Sequence, residues 1–94
     1  MKHFLYIIYS PKIDKFYVGE THNLKQRIHN HNQHSYKGAF TKSAEDWSVK
    51  LSFETQDKSE AVFLEKFIKR MKSKKFILKI IDNPNILKDI LEKK

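Results

Sequence analysis

The first apolar run of the chain is unbroken, which predicts a strand that is covered on both faces of a sheet. Every residue from Phe4 to Tyr9 is apolar or aromatic, and a strand without alternation belongs in the middle of a sheet. Ser10-Pro11 and Asp14-Lys15 then supply turn residues. The run from Phe16 to Gly19 therefore returns as a second strand, and the two strands form a hairpin.

The next segments predict a helix, a loop and a third strand. Asn23 is an N-cap residue, and a helix is predicted from there to about His34. Residues 35–46 keep no apolar period and predict a loop. The residues from Trp47 to Glu54 alternate without a lapse, which predicts a strand with one solvated face at the side of the sheet.

The rest of the chain predicts three amphipathic helices. Asp57 and Glu60 have the spacing of a capping box, which opens a helix that runs to about Lys72. A third helix follows from about Lys74 to Asp82, and Asn83-Pro84 then starts a short terminal helix as N-cap and first helical residue. The apolar residues expected to be buried on these helices are Ala61, Leu64, Phe67, Ile68 and Met71, then Phe76, Ile77, Ile80 and Ile81, then Ile86, Leu87, Ile90 and Leu91.

These elements predict an α/β (α+β) fold with a small three-stranded antiparallel sheet. The order is β-β-α-β-α-α-α, with the first strand central and helices flanking the sheet. A chain of 94 residues suits one domain, which we expect to span residues 1–94.

Charge changes the picture more than size does. The chain has 19 Lys and Arg against 11 Asp and Glu, a formal net charge of +8 at pH 7. Such a surplus favours polyanions, nucleic acid above all, although lysines that only keep the protein soluble remain an alternative. Cysteine is absent, which excludes disulfides and thiolate chemistry. Because no apolar run suits a signal peptide or a membrane span, we expect a cytoplasmic protein without a membrane partner.

The predicted hairpin places two tyrosines on one face. A register that pairs Tyr6 with Gly19 also pairs Ile8 with Tyr17, so both tyrosine rings point the same way. Gly19 opposite Tyr6 is expected to leave space for a ligand or a backbone. Tyrosine is also a good strand former, so simple packing would explain either ring.

Arg27 and His31 lie on one face of the helix that follows the hairpin. Arg27 is about one turn inside that helix, so its guanidinium can reach back over the strand end at Tyr17. Its planar, always protonated fork matches a phosphate bidentately. His31 comes four residues later, on the same face. The alternative for both residues is a solvated helix face.

Glu65 is the only acid between Ala61 and Asp82 and lies at the margin of the predicted buried stripe. A carboxylate there can project past the sheet and hold a hard divalent cation together with substrate oxygens. The alternative is an i,i+4 ion pair with Lys69, worth about 0.2–0.5 kcal/mol.

Two groups of residues are candidates for nucleic-acid binding. A basic run on the second and third long helices can follow a phosphate backbone, although it can equally be a solvated face. In the loop, Lys37 and Lys42 stand near Tyr36 and Phe40, a mixture that suits contact with unpaired bases. The basic run consists of Lys66, Lys69, Arg70, Lys72, Lys74, Lys75 and Lys79.

In their order and spacing, these residues resemble the GIY-YIG nuclease superfamily. The resemblance covers roughly residues 3–82 and is closest to small stand-alone bacterial members related to the nuclease domain of the excision-repair incision subunit. It is carried by Tyr6, Tyr17-Val18-Gly19, Asn23-Leu24, Arg27, His31, and Glu65 with Ile68-Lys69.

The resemblance implies a one-metal phosphodiesterase. Tyr6 would act as general base or orient the attacking water, with Tyr17 in support and His31 near the nucleophile. Arg27 would hold the scissile phosphate, and Glu65 would bind one Mg²⁺ or Mn²⁺ ion. Asn83 is the nearest candidate for the late asparagine that many members carry.

The predicted function is a metal-dependent DNA endonuclease with low sequence specificity or selectivity for structure. Branched or damaged DNA is the expected partner, repair or recombination is the setting that the resemblance suggests, and a protein partner would supply specificity. Two alternatives stay open. One is a catalytically inert nucleic-acid-binding module on the same fold, and the other is a basic adaptor that binds a protein through Tyr36, Phe40 and the terminal helix.

Overall fold

The computed structural model describes residues 2–33 and 44–94. Within these ranges the elements follow the predicted order β-β-α-β-α-α-α and confirm the predicted fold class. They are β1 (His3–Ser10), β2 (Lys15–Thr21), α1 (Leu24–Asn32), β3 (Ser48–Thr55), α2 (Lys58–Met71), α3 (Lys74–Asp82) and α4 (Asn85–Glu92). None of the described helices combines the length and the apolar character that a membrane crossing requires.

The strand order is β2-β1-β3, and both pairings are antiparallel, so β1 is the central strand as predicted. Its four middle residues, Leu5 to Ile8, are fully buried, which explains why the run shows no alternation. The predicted hairpin register is confirmed, since Tyr6 pairs with Gly19 and Ile8 with Tyr17. The pairing of β1 with β3 shifts register between Ile7 and Ile8.

The side chains of β1 alternate between two cores on opposite faces of the sheet. Leu5 and Ile7 pack with the larger core, which α2, α3 and α4 cover with Leu64, Ile68, Ile80 and Leu87. Tyr6 and Ile8 pack with the smaller core, which includes Ala44, Trp47 and, from α1, Leu24 and Ile28. The smaller core therefore holds α1 on the face that carries Tyr6.

Helix α1 begins where the sequence predicts. The side chain of Asn23 accepts a hydrogen bond from the backbone N–H of Gln26 at 3.1 Å. The helix ends at Asn32, and the N–H of Gln33 bonds back to the carbonyl of His29. His34, the predicted last residue, lies outside the described residues. So do Tyr36, Lys37, Phe40 and Lys42, the candidates of the predicted loop.

Helix α2 is capped by Asp57, whose carboxylate accepts from the N–H of Glu60 at 2.9 Å. The Glu60 carboxylate accepts from the N–H of Gln56, one residue before the cap, so the capping box is displaced from its usual pattern. The predicted burial of Met71 is wrong, because Met71 is 48% exposed. It is the last residue of the helix, and the chain turns away at Lys72.

The prediction that Asn83 caps the terminal helix is also wrong. Asn83 ends α3 instead, with its N–H bonded to the carbonyl of Lys79. Helix α4 begins at Asn85 behind Pro84 and has no side-chain cap. The predicted apolar face of α4 is confirmed, since Leu87 is fully buried and its neighbours Ile86, Ile90 and Leu91 pack on the larger core.

Candidate active site

A hydrogen bond joins the central strand to the end of α1. The Tyr6 hydroxyl lies 2.8 Å from Nε2 of His31. Tyr6 is 0% exposed and His31 is 2% exposed, so the bond lies in the protein interior. The bond forms because the smaller core seats α1 on the Tyr6 face of the sheet and His31 comes two turns after the Asn23 cap.

The surroundings of His31 keep its ring neutral. Burial, and next the positive charge of Arg27, lower the pKa of His31 to about 4, because both disfavour the imidazolium. A neutral ring with its proton on Nδ1 accepts a hydrogen bond at Nε2. In that tautomer, the Tyr6 hydroxyl donates to His31. The charge of Arg27, one turn earlier on α1, therefore lies close enough to the His31 ring to disfavour its protonation.

Tyr17 completes a cluster of three rings. Its ring centroid lies 6.4 Å from that of Tyr6 and 5.0 Å from that of His31, and the Tyr17 and His31 rings are T-shaped to each other. Tyr17 is half-buried, whereas Tyr6 is enclosed. The prediction that the two tyrosines share a face and lie close together is confirmed.

The role expected for Gly19 is wrong. A Cβ at Gly19 would lie 2.5 Å from the hydroxyl oxygen of Tyr6 and 2.6 Å from its Cζ. The space beside Gly19 is therefore filled by the ring of Tyr6, and it does not receive a ligand or another backbone.

The Lys69 ammonium lies near both Glu65 and the Tyr17 ring of this cluster. Glu65 and Lys69 form the predicted i,i+4 ion pair, with Nζ of Lys69 at 2.8 Å from Oε2 of Glu65. The same ammonium lies 5.3 Å from the ring centroid of Tyr17. Helix α2 packs against β2, the edge strand that carries Tyr17, so the ion pair borders the site at this edge of the sheet.

The donor chemistry near Glu65 fits a single hard cation. The Glu65 side chain is 21% exposed, and Mg²⁺ is commonly held by one or two carboxylates, with waters and substrate phosphates as its other ligands. Across residues 2–33 and 44–94, no three His, Asp or Glu side chains are grouped as a metal site. Glu65 thus offers a cation one carboxylate, of which Lys69 already engages one oxygen, and the described residues do not form a closed structural site.

The predicted nucleic-acid-binding residues on α2 and at its end are all exposed: Lys66, Lys69, Arg70 and Lys72. The structure adds Lys15 to three lysines of the predicted basic run, around a groove that Tyr17 also lines: Lys69, Lys72 and Lys74. Sequence reasoning did not bring Lys15 into this group, because it precedes the others by more than fifty positions.

A second feature that the sequence did not reveal is a clamp between α1 and the start of β3. The side-chain amide of Asn32 donates to the carbonyl of Trp47 at 3.1 Å and accepts from its N–H at 2.8 Å. Two bonds from one amide fix the end of α1 next to His31. No periodic signal marks such a long-range pair.

The fold defines a class, a small α+β domain whose three-stranded antiparallel sheet is flanked by helices, and a family comparison makes the class specific. Residues 2–77 match the family model of the GIY-YIG catalytic domain. The chain belongs to the GIY-YIG family, as its motifs predict. Members of this family are generally endonucleases that act on nucleic acid. Comparisons with curated proteins and with solved structures gave no match.

Proposed function

We propose that this chain is a metal-dependent endonuclease that hydrolyses phosphodiester bonds in DNA. The observation that carries the proposal is the buried bond between Tyr6 and His31, in a member of the GIY-YIG family. Two neighbours of this bond support it, since the Tyr17 ring packs against the His31 ring and the charge of Arg27 acts on His31. The net charge of +8 supports a polyanionic substrate.

The residues divide the chemistry among them. Arg27 binds the scissile phosphate and stabilises the charge that develops on it. Tyr6 orients the attacking water through the lone pairs of its hydroxyl oxygen, the proton of the water leaves to solvent, and Tyr17 supports Tyr6. Glu65 would hold Mg²⁺ or Mn²⁺, which supplies Lewis-acid stabilisation of the departing oxygen.

His31 has a positioning role in this scheme. A tyrosine in water has a pKa near 10, whereas the pKa of His31 is lowered to about 4. Transfer of the Tyr6 proton to His31 is therefore strongly uphill. His31 fixes the direction of the Tyr6 hydroxyl by accepting its hydrogen bond.

The test is nicking of supercoiled plasmid and cleavage of branched DNA, each with Mg²⁺, with Mn²⁺ and with chelator. The variants are Tyr6→Phe, Arg27→Gln and Glu65→Gln, and the matched controls are Lys88→Gln and Glu92→Gln, both exposed residues on α4. We expect cleavage that needs the metal and falls at least about 100-fold in each site variant. Cleavage that survives in all three site variants, or in chelator, would contradict the proposal. Preferential cleavage of branched DNA would support a role in repair or recombination.

One observation favours a second candidate, a nucleic-acid-binding module that does not cleave. Tyr6 is fully buried, and Glu65 is paired with Lys69, so the hydroxyl and one carboxylate oxygen are already engaged. Tight binding of plasmid and branched DNA, without cleavage under any metal condition, would support this candidate. The adaptor alternative finds less support, because the apolar residues of α4 pack on the larger core.

A further inference from the structure

A groove with a volume of about 970 Å³ opens beside Tyr17. It lies between the turn that joins β1 to β2 and the junction of α2 with α3. Four lysines line it together with apolar side chains from β2, α2 and α3. We call it the lysine groove, and its lysines are Lys15, Lys69, Lys72 and Lys74.

The charge of the lysine groove is positive and only partly neutralised. Among the described residues that line it, the one acid is Asp14, whose carboxylate is engaged by the Tyr9 hydroxyl and by Nζ of Lys74 at 3.3 Å. These hydrogen bonds lower the pKa of Asp14, so it stays ionised. Lys69 is also paired, with Glu65 outside the groove. Four ammonium groups against these two carboxylates still leave a surplus of cations around an open cleft.

Lys72 occupies its place in the lysine groove despite an unfavourable backbone. Its φ is 48° and its ψ is 43°, the left-handed region in which glycine usually ends a helix. Backbone outliers of this kind cluster at functional sites. At Lys72, a lysine stands where glycine would be less strained, and its ammonium adds a positive charge to the cleft.

We infer that the lysine groove binds the sugar-phosphate backbone of the nucleic-acid strand on one side of the cleaved phosphate. This inference rests on the proposed function, because Tyr17 belongs to both the groove and the candidate site. Ammonium groups on flexible stems suit successive phosphates. Phe16 and Tyr17 offer apolar surface to the sugars between them.

The test measures binding of a short fluorescent duplex by anisotropy in chelator, so that it does not depend on cleavage. The groove variant carries Lys15→Gln, Lys72→Asn and Lys74→Gln, with asparagine at position 72 because it tolerates the left-handed region. The control variant carries Lys58→Gln, Lys88→Gln and Lys93→Gln, which remove the same charge from exposed residues outside the groove.

We expect the groove variant to bind at least about 10-fold more weakly than the control variant. We also expect its slope of log affinity against log salt to fall by about 0.9 for each phosphate that the groove no longer neutralises. Equal weakening in the two variants, or an unchanged slope in the groove variant, would overturn the inference. If the triple variant fails to fold by circular dichroism, the three single variants are compared with their single controls in the same way.

Failure of the groove and failure of the proposed activity are distinguishable. Metal-dependent cleavage together with equal binding by the two variants would overturn the groove and leave the endonuclease in place. Absence of cleavage under every condition, with a slope that falls only in the groove variant, would overturn the activity and support the groove. A protein that binds neither duplex nor single-stranded DNA would overturn both.

Discussion

At Gly19, the ring of a neighbouring residue occupies the place of a side chain. Because a Cβ there would lie 2.5 Å from the Tyr6 hydroxyl oxygen, we expect Gly19→Ala to displace the Tyr6 ring from His31. Overpacking of this kind costs about 1–3 kcal/mol of unfolding free energy, and misplacement of the hydroxyl that orients the attacking water lowers cleavage about 100-fold. Urea unfolding and plasmid nicking measure the two effects.

A second background isolates the contact. Tyr6→Leu removes the ring atoms that a new Cβ would meet, so Gly19→Ala should cost much less stability there than in the wild type. Equal costs in both backgrounds would show that the backbone at Gly19, and not the ring of Tyr6, requires glycine.

The neutral state of His31 predicts a pH dependence of stability. Its pKa is about 4 in the fold, against about 6.5 in an unfolded chain. Between these values the unfolded state binds more protons, so stability rises with pH. The contribution is complete above about pH 6.5 and is lost as pH falls towards 4, a change of about 2–3 kcal/mol.

Urea unfolding at a series of pH values tests this expectation. His31→Gln provides the control, because glutamine can accept a hydrogen bond without titrating. The step between pH 6.5 and 4 should be missing from that variant. Asp14 and Asp46 have lowered pKa values, so their effect falls below that range. If the change of stability between pH 6.5 and 4 persists in His31→Gln, groups other than His31 cause it.

For individual residues, the sequence predicted those pairs that follow from regular spacing along a strand or a helix. The shared face of Tyr6 and Tyr17 follows from strand register, and the ion pair of Glu65 with Lys69 follows from helix periodicity. The bond from Tyr6 to His31 did not follow, because it depends on how α1 docks on the sheet. Gly19 was misread because the ring of Tyr6, its cross-strand partner, lies over the glycine and fills the space that the missing side chain leaves.

The junction of α2 with α3 carries a prediction at the scale of elements. Lys72→Gly relieves a left-handed backbone that costs other residues roughly 1–2 kcal/mol, so we expect it to stabilise the protein by about 1 kcal/mol. For a domain of this size, that raises Tm by about 4–8 °C. The same change removes a cation from the lysine groove, so DNA binding should weaken.

In Lys72→Gly, thermal unfolding should therefore show a higher Tm, whereas the anisotropy titration should show a weaker affinity for DNA. Lys72→Gln is the matched control, since it removes the charge but keeps a Cβ and should not gain stability. A glycine variant that is no more stable than the glutamine variant would contradict the strain at Lys72.

Element bounds were predictable where local signals act alone. The bounds of α3 were predicted as observed, Lys74 to Asp82, because turn residues flank a clear apolar period. The predicted bound of a helix was wrong where two helices could both use the same residue at their ends. Asn83 can cap α4 by its side chain or end α3 by its backbone, and the bond of its N–H to the carbonyl of Lys79 decides for the second.

The larger core of the molecule includes residues that lie outside the matched family region. The match ends at residue 77, yet Leu87 on α4 is 0% exposed in the core. We expect Leu87→Ala to lower the unfolding free energy by about 2–5 kcal/mol, because it leaves a cavity. Urea unfolding measures the loss.

Leu78→Ala is the control for that change, since Leu78 is 49% exposed and its truncation should change stability by less than about 0.5 kcal/mol. Similar losses in the two variants would show that α4 is not part of the cooperative core. The sequence predicted the apolar face of α4 from its period, but only the packing shows that it belongs to the core beneath β1.

Trp47, whose backbone is held by Asn32, also provides a fluorescent reporter of the candidate site. Trp47 is the only tryptophan in the chain, it is 3% exposed, and it shares the smaller core with Tyr6. Its indole emission should lie at short wavelength while the indole is buried beside α1, and it should shift to the red if α1 separates from the sheet and water reaches the indole. Intrinsic fluorescence can therefore follow this separation in solution without any attached dye.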